Sequence, residues 1–485
     1  MTEAPWAGVN PSDLHIILVT GANSGVGLGI SQRLIDDFLS TKPLSSHLIL
    51  LPTTRSARKS SETIYALREY LHGAATTSPK ARAHAGINYD PEDAIGRVHI
   101  LSVQVDLCDL HSIYTAADQL VYGTISDPTG VLPDVKIPKL DAALFNAGIG
   151  GWSGLNWFGL FGQILRRGIP QATTYPTFKL AYPTVMLDTK KLLGPVEAKT
   201  EPPPLAEVFT ANTFGHYLLA HELMPLLSRN DVREEPGRIV FTSSIDAEHE
   251  HLSFKYFQAE RETPPYESSK RITDVITLTA TLPSVEPLTR QFFQVPESSS
   301  STTSKKNPTV RPKLYVTHPG IVCTPIFPLN FVLFFFYRLT MYVARMLGSP
   351  WHVVTTYLGG CAAAWLGLES QSVLDAQSAH LAKWGSAIAP FGGGGAQPKM
   401  SEVDGWGWQG EIENADALAA EPATGMQRKL KGRKWDAVTL TPERREQFEQ
   451  DGRACWTELE RLRGEWERAL GRTPGDHLPA KQHKI

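Results

Sequence analysis

Cysteine is scarce. Cys108, Cys323, Cys361 and Cys455 are the only four among 485 residues, and no two of them form a CxxC pair. That argues against a thiolate zinc site and against a disulfide framework, and it suits a reducing compartment. Charge of one sign is lacking too: Lys and Arg total 47 against 50 Asp and Glu, a net charge of −3. Without a global basic field, nucleic-acid binding driven by bulk charge is not expected. The start of the chain lacks a secretory pattern. Thr2, Glu3 and scattered polar residues stand where a basic stretch and an apolar core would be, and the first apolar run, Ile16–Val19, reads as a strand. An intracellular chain is expected, its active face toward cytosol-like solvent. No internal repeat is visible. What is present, 42% apolar and 20% charged residues, excludes disorder of the whole chain. The length suits one large domain with insertions, or two ordinary ones.

The first half alternates short β-branched runs with helical ones. His15–Thr20, His47–Leu51, Arg97–Val105 and Leu140–Phe145 read as strands, with Ser31–Leu39, Ser60–Leu71 and His111–Tyr122 as helices between them. Leu205–Leu227 and Tyr266–Ala280 read as further helices, and Arg238–Ser243 and Leu314–His318 as further strands. Strands separated by helices imply parallel crossovers, hence an α/β fold with a doubly wound, Rossmann-type parallel sheet. The intervals are swollen: inserts are expected at about 150–204, 245–265 and 282–312, the last containing the low-complexity run SSSSTTSKK. A Gly-rich break at Gly392–Gly395 opens a polar C-terminal region ending in a helix begun by Thr441-Pro442, with Phe448, Cys455, Leu459, Leu462 and Trp466 at helical spacing.

After the first strand comes Thr20-Gly21-Ala22-Asn23-Ser24-Gly25-Val26-Gly27. Glycines there permit a tight turn and let backbone N–H groups approach a pyrophosphate at a helix N-terminus. The alternative is a tight β-α turn with no ligand. The stretch after the second strand chooses the nucleotide. A carboxylate there would accept from a ribose 2′-hydroxyl, but the residues are Thr54, Arg55 and Ser56, with Arg58 and Lys59 behind. Three cations suit a 2′-phosphate, so NADPH is expected over NADH; a solvated basic helix start is the alternative. Asp106 ends the third strand, where its carboxylate is placed to bond adenine.

Tyr266-Glu267-Ser268-Ser269-Lys270 places a phenol and an ammonium on one face of a helix. It follows a strand ending Thr242-Ser243-Ser244, and Asn146-Ala147-Gly148 ends the fourth strand. With Thr20–Gly27 and His318-Pro319-Gly320, these motifs resemble, in order and approximate spacing, the short-chain dehydrogenase/reductase family. The resemblance covers Leu14 to about Leu368, residues 369–485 being a C-terminal extension. It implies that Tyr266 is the general acid protonating a carbonyl oxygen as hydride arrives from nicotinamide. Lys270 would lower the phenol's pKa and hold the nicotinamide ribose. Ser244 would bond the substrate oxygen, with Ser243 as the fallback, and Asn212 would support a water relay toward the lysine. The cofactor would lie against Gly21, Asn23, Ser24, Gly25, Val26, Gly27, Asn146, Ala147, Gly148, Pro319, Gly320, Ile321 and Thr324. One departure stands out: Ser244 precedes Tyr266 by more than the family's usual interval, and the extra loop carries Glu248, His249, Glu250 and His251. No metal is expected there, because hydride transfer of this kind needs none.

The family's lid over the substrate falls here at 325–350, and Pro325–Leu347 is unusually apolar and aromatic. Ile326–Tyr337 is too short an apolar run to span a bilayer before Arg338 interrupts it. Lying in the membrane interface is expected; a buried lid helix is the alternative. Within the family, Thr20–Ile30, the insert after Gly148, Asn212–Leu227, the lid and Lys383-Trp384-Gly385-Ser386 are similar to the fungal 3-keto-steroid reductases. That implies NADPH-dependent reduction of a 3-oxo-4-methylsterol in sterol C-4 demethylation, at endoplasmic reticulum and lipid-droplet membranes. It also implies partnership with the other enzymes and the scaffold of that process. Competing readings are another membrane-associated short-chain reductase of a lipophilic carbonyl, and a scaffold that stabilises other sterol enzymes.

Overall fold

The most apolar run of the N-terminal region, LHIILV, becomes the centre of a sheet because both its faces are covered. A computed structural model describes residues 4–196, 200–295, 310–324, 330–413 and 431–472; the SSSSTTSKK run and 325–329 of the lid lie outside them. From the N-terminus the order is β1 (Leu14–Val19), α1 (Gly25–Thr41), β2 (His47–Thr54), α2 (Ala57–Thr77), β3 (Val98–Ile100), β4 (Val103–Gln104), α3 (Leu110–Val121) and β5 (Ala142–Phe145). The first insert holds β6 (Trp152–Leu155), α4 (Trp157–Thr174) and β7 (Lys179–Ala181). Next come α5, made of Glu207–Phe209, a π turn at Thr210–Phe214 and Gly215–Glu222, then β8 (Arg238–Thr242), α6 (Pro265–Thr279) and β9 (Lys313–His318). The chain continues through α7 (Phe331–Met346), α8 (Cys361–Leu368), β10 (Lys383–Ile388), β11 (Ala396–Ser401) and α9 (Pro442–Leu470).

The main sheet has the order β11-β10-β9-β8-β5-β1-β2-β3, with β4 also paired to β2. Every pairing is parallel except β10 with β11. The strand order reverses between β1 and β5, and in open α/β sheets that switch point is where ligands bind. One face of the sheet buries Ile30, Leu34 and Phe38 of α1, Ile64 and Leu67 of α2 and the alanines of α8. The other buries Ile113 of α3, Phe214 of α5, Ile272 and Val275 of α6, and Trp456, Leu459 and Trp466 of α9.

Three features go beyond the sequence reading. The expected strand Arg97–Val105 is two short strands, because the chain breaks off β2 at Leu101 and resumes pairing at Val103. Residues beyond 368 do not merely extend the domain: they add β10 and β11 to the sheet. Their α9 is capped by Thr441, whose Oγ1 accepts from the Arg444 N–H at 3.4 Å, and it lies against α6. The Trp456 indole N–H donates to the Ile276 carbonyl of α6 at 3.1 Å. The first insert pairs β6 with β7 in a separate antiparallel ribbon.

Candidate active site

The carboxyl ends of β1, β5, β8 and β9 stand side by side and supply Thr20, Asn146, Ser244 and Pro319 in turn. Thr20 is buried and ties the switch point together. Its Oγ1 accepts from the backbone N–H groups of Asn146 (2.9 Å) and Ala147 (3.0 Å), so its own hydroxyl donates to His216 Nε2 at 2.9 Å. Burial pushes His216 down to about 3, with Lys270 adding to the effect, so the ring is a neutral acceptor. Nothing in the sequence pattern singled out His216; it is a helix residue whose partner lies 196 positions away.

Gly21 takes φ +66°, and a Cβ there would lie 2.9 Å from Ala147 Cα. A Cβ on Gly27 would meet the Gly21 carbonyl oxygen at 2.3 Å and Asn146 Nδ2 at 2.8 Å. The turn Gly21–Gly27, carrying Asn23, Ser24, Gly25 and Val26, therefore opens onto α1 without side chains in the way. Ser24 at the N-cap makes no side-chain cap bond to the first turn. This is the cradle a pyrophosphate needs, with the helix dipole behind it.

At the end of β2, the Thr54 hydroxyl is buried and donates to the Ser56 carbonyl at 3.0 Å, while Arg55 stands exposed. Arg58 is exposed too and pairs loosely with Glu62 at 3.6 Å. Asp106 Oδ1 accepts from the Cys108 N–H at 3.0 Å, shaping the bend after β4. On the far side, Pro319, Gly320, Ile321 and Thr324 form the loop after β9, held by the Ile321 N–H donating to the Trp351 carbonyl at 2.7 Å. The residues present fit a dinucleotide laid across the switch point.

Ser243 and Ser244 separate cleanly. The Ser243 hydroxyl is buried and donates to the Lys270 carbonyl at 3.1 Å. Ser244 instead acts on the Tyr266 phenol, lowering its pKa, and its hydroxyl accepts from the Asp246 N–H at 3.2 Å. Asn212, in the π turn, is engaged on both sides. Its Oδ1 accepts from the Ile149 N–H (2.8 Å), and its Nδ2 donates to the Ile149 carbonyl and the Ser269 hydroxyl, each at 3.0 Å. Ser269 donates in turn to the Tyr266 carbonyl at 2.6 Å. A π turn widens a helix at a functional point, and here it lets one side chain hold the chain after Gly148 against α6.

The charges differ from the sequence expectation. Burial is the largest influence on Tyr266 and drives its phenol up to about 12, so it keeps its proton at neutral pH. Lys179 of β7, which the sequence reading did not include, pulls the phenol down. Lys270 Nζ lies 5.6 Å from the Tyr266 ring centre and donates to the Thr242 carbonyl at 2.7 Å. Burial lowers Lys270 to about 8. The first insert roofs the tyrosine. Trp152 stands 4.5 Å from its ring, centre to centre, and Lys179 is ion-paired with Asp246 and Glu267. These residues bound a 220 Å³ cavity with His251, Glu248 and Lys434. Trp152 and Lys179 escaped the sequence reading because a long Gly- and Pro-rich insert has no period that would point them at a site. His249 is bonded to Asp404 at 2.6 Å.

No family model matches the chain. The 3-keto-steroid reductase of Gibberella zeae is 45% identical over 473 residues, 96% of this chain and 97% of the relative. The chain belongs to the 3-keto-steroid reductases. A member from Aspergillus fumigatus is 37% identical over 94% of each chain, and one from Schizosaccharomyces pombe is 28% identical over 77% of this chain and 87% of its own. Likeness to solved structures is weaker: a 3-oxoacyl-[acyl-carrier protein] reductase from Brucella melitensis is 13% identical with a TM-score of 0.36, covering 73% of this chain and 89% of that one. In this member of the family the motifs singled out in the sequence fall at the carboxyl edge of one Rossmann-type sheet.

Proposed function

We propose that this chain reduces the 3-ketone of a 4-methylsterol to the 3β-alcohol with NADPH, in sterol C-4 demethylation. The observation that carries the reading is the 45% identity to a 3-keto-steroid reductase along nearly the whole chain, joined to an intact Ser244–Tyr266–Lys270 constellation. A bound reduced nicotinamide would supply the hydride. The chain's own residues do the rest. Ser244 and Tyr266 present two hydroxyls to one oxygen, which orients the ketone and stabilises charge developing on it. Tyr266, protonated at neutral pH, then gives its proton to that oxygen. Lys270, cationic below about pH 8, favours the phenolate left behind. The direct test is NADPH consumption by the purified protein with a 3-oxo-4-methylsterol in detergent, with the alcohol identified by mass. Turnover of fatty acyl or retinoid ketones in preference would overturn the substrate assignment.

The cofactor preference rests on Arg55, exposed at the end of a strand where no carboxylate stands. Arg55→Asp is expected to weaken NADPH at least ~10-fold while changing NADH far less, and the difference should shrink at high salt. Titration of both nucleotides by fluorescence measures this. An unchanged NADPH/NADH ratio would remove Arg55 from the phosphate site.

The reading extends to a membrane surface, at the endoplasmic reticulum and lipid droplets, and to the other enzymes and scaffold of the same process as partners. Of the α7 residues, only Met341 and Ala344 are buried. Phe331, Phe335 and Phe336 are 87%, 60% and 57% exposed, which argues against a buried lid helix. Helix α4 packs beside α7 and adds exposed Trp157, Phe158, Phe161 and Leu165. Among the described residues no helix is long and apolar enough to cross a membrane, so this aromatic surface supports contact within the interface. Replacing Phe331, Phe335 and Phe336 with Ser is expected to lower liposome binding at least ~10-fold, since each ring is worth roughly 1.5–3 kcal/mol when fully buried. Reduction of a water-soluble ketone should persist. Unchanged flotation with liposomes would refute the surface.

A further inference from the structure

Behind the catalytic lysine lies a second, fully buried one. Lys383, the first residue of β10, is 2% exposed, and its ammonium donates to Asp274 Oδ2 at 2.6 Å and to the Ser244 carbonyl. Asp274 stands one helical turn past Lys270 on α6, has no exposed surface, and its Oδ1 has no hydrogen-bond partner. Lys270 holds the Thr242 carbonyl and Lys383 the Ser244 carbonyl. The end of β8 and the residues after it are thus gripped at two points by two ammonium groups, one of them paired with a carboxylate.

We infer that Lys383 is a positioning residue for the reduction: it fixes the Ser244 backbone so that the serine hydroxyl faces Tyr266, and with Asp274 it sets the electrostatic field at Lys270. The inference rests on the reading above for the reaction itself. The Lys383–Asp274 pair is fully buried, and a buried ion pair is by itself weak evidence of a stabilising role; here its ammonium also binds the backbone of the serine that faces the site. The field at Lys270 has two opposed sources, Lys383 disfavouring its protonated form and Asp274 favouring it. Other charged or titratable groups near this cluster are Arg271 on α6, Asp246 after β8, His216 on α5 and His318 on β9. Both histidines are held neutral by burial, and Arg271 donates to the Asp404 carbonyl at 2.8 Å. Asp246 is ion-paired with Lys179 and acts on Lys383, leaving Asp274 and Lys383 as the charges that act on Lys270 itself.

Three variants test this: Lys383→Met, Asp274→Asn and the double replacement, which leaves neither charge unpaired and guards against misfolding of the singles. Turnover and NADPH binding are followed across pH, with thermal unfolding alongside. Lys383→Met should lower kcat by about 10²-fold, the cost of a misplaced hydroxyl, while NADPH affinity at neutral pH changes little. Its alkaline limb should move to higher pH in both turnover and NADPH binding. Asp274→Asn should move the limb to lower pH. The double variant should keep the wild-type limb and the low kcat. Limbs that stay together, or a kcat that follows thermal stability alone, would overturn the inference. NADPH binding needs no ketone, so failure of the wild type to reduce a 3-ketosteroid would count against the proposed reaction, and coincident binding limbs against Lys383.

Discussion

Tyr266→Phe is expected to lower ketone reduction by at least ~10²-fold, the usual contribution of a positioned general acid, while NADPH binding stays nearly intact. The ring would still fill the space beneath Trp152, 4.5 Å away, so only the hydroxyl is lost. Steady-state turnover and nucleotide titration on the same preparation measure the two effects. Near-normal turnover would remove Tyr266 from the proton transfer. Lys270→Met should damage both quantities, because its ammonium holds the Thr242 carbonyl as well as biasing the site electrostatically. The contrast between the two variants separates proton donation from site assembly.

Trp456→Ala is expected to destabilise the protein by about 3–5 kcal/mol, the range for truncating a large buried aromatic. Trp456 is 1% exposed, packs edge-on to Phe292 and bonds the Ile276 carbonyl of the helix that carries Tyr266 and Lys270. Chemical denaturation of the variant beside the wild type measures the loss. Because α9 shares a core with α6, unfolding should remain one transition that takes activity with it. A change below about 1 kcal/mol, or separate melting of the C-terminal helix, would mean that α9 is an appendage.

Much of the chemistry was legible along the chain because it is local. The Gly21–Gly27 turn, the Tyr266–Lys270 pair one helical turn apart and the Ser244 strand end are short patterns tied to a strand or helix boundary, and the structure brings them to one edge of the sheet. The alternating strands and helices likewise fell where apolar periodicity put them, although α1 begins at Gly25 rather than Ser31 and α2 runs on to Thr77 rather than Leu71. The C-terminal strands β10 and β11 did not stand out. KWGSAI and AQPKMS have little β-branched content; the first is a strand because β9 offers an open edge to pair with, and the second pairs in turn with the first.

The amino-acid sequence by itself determined the parallel α/β fold and singled out Tyr266, Ser244 and Lys270 as candidates for acid, serine and lysine, since each motif depends on near neighbours and on backbone geometry. Only the tertiary structure decided the electrostatics. The phenol of Tyr266 lies above its ordinary range, Lys179 in the first insert acts on it, and Lys383 acts on Lys270 from 113 positions away along the chain. Burial and long-range charge set those values, and both belong to the packed molecule, because a residue's distance from water and from other charges is undefined until the insert, α6 and β10 meet.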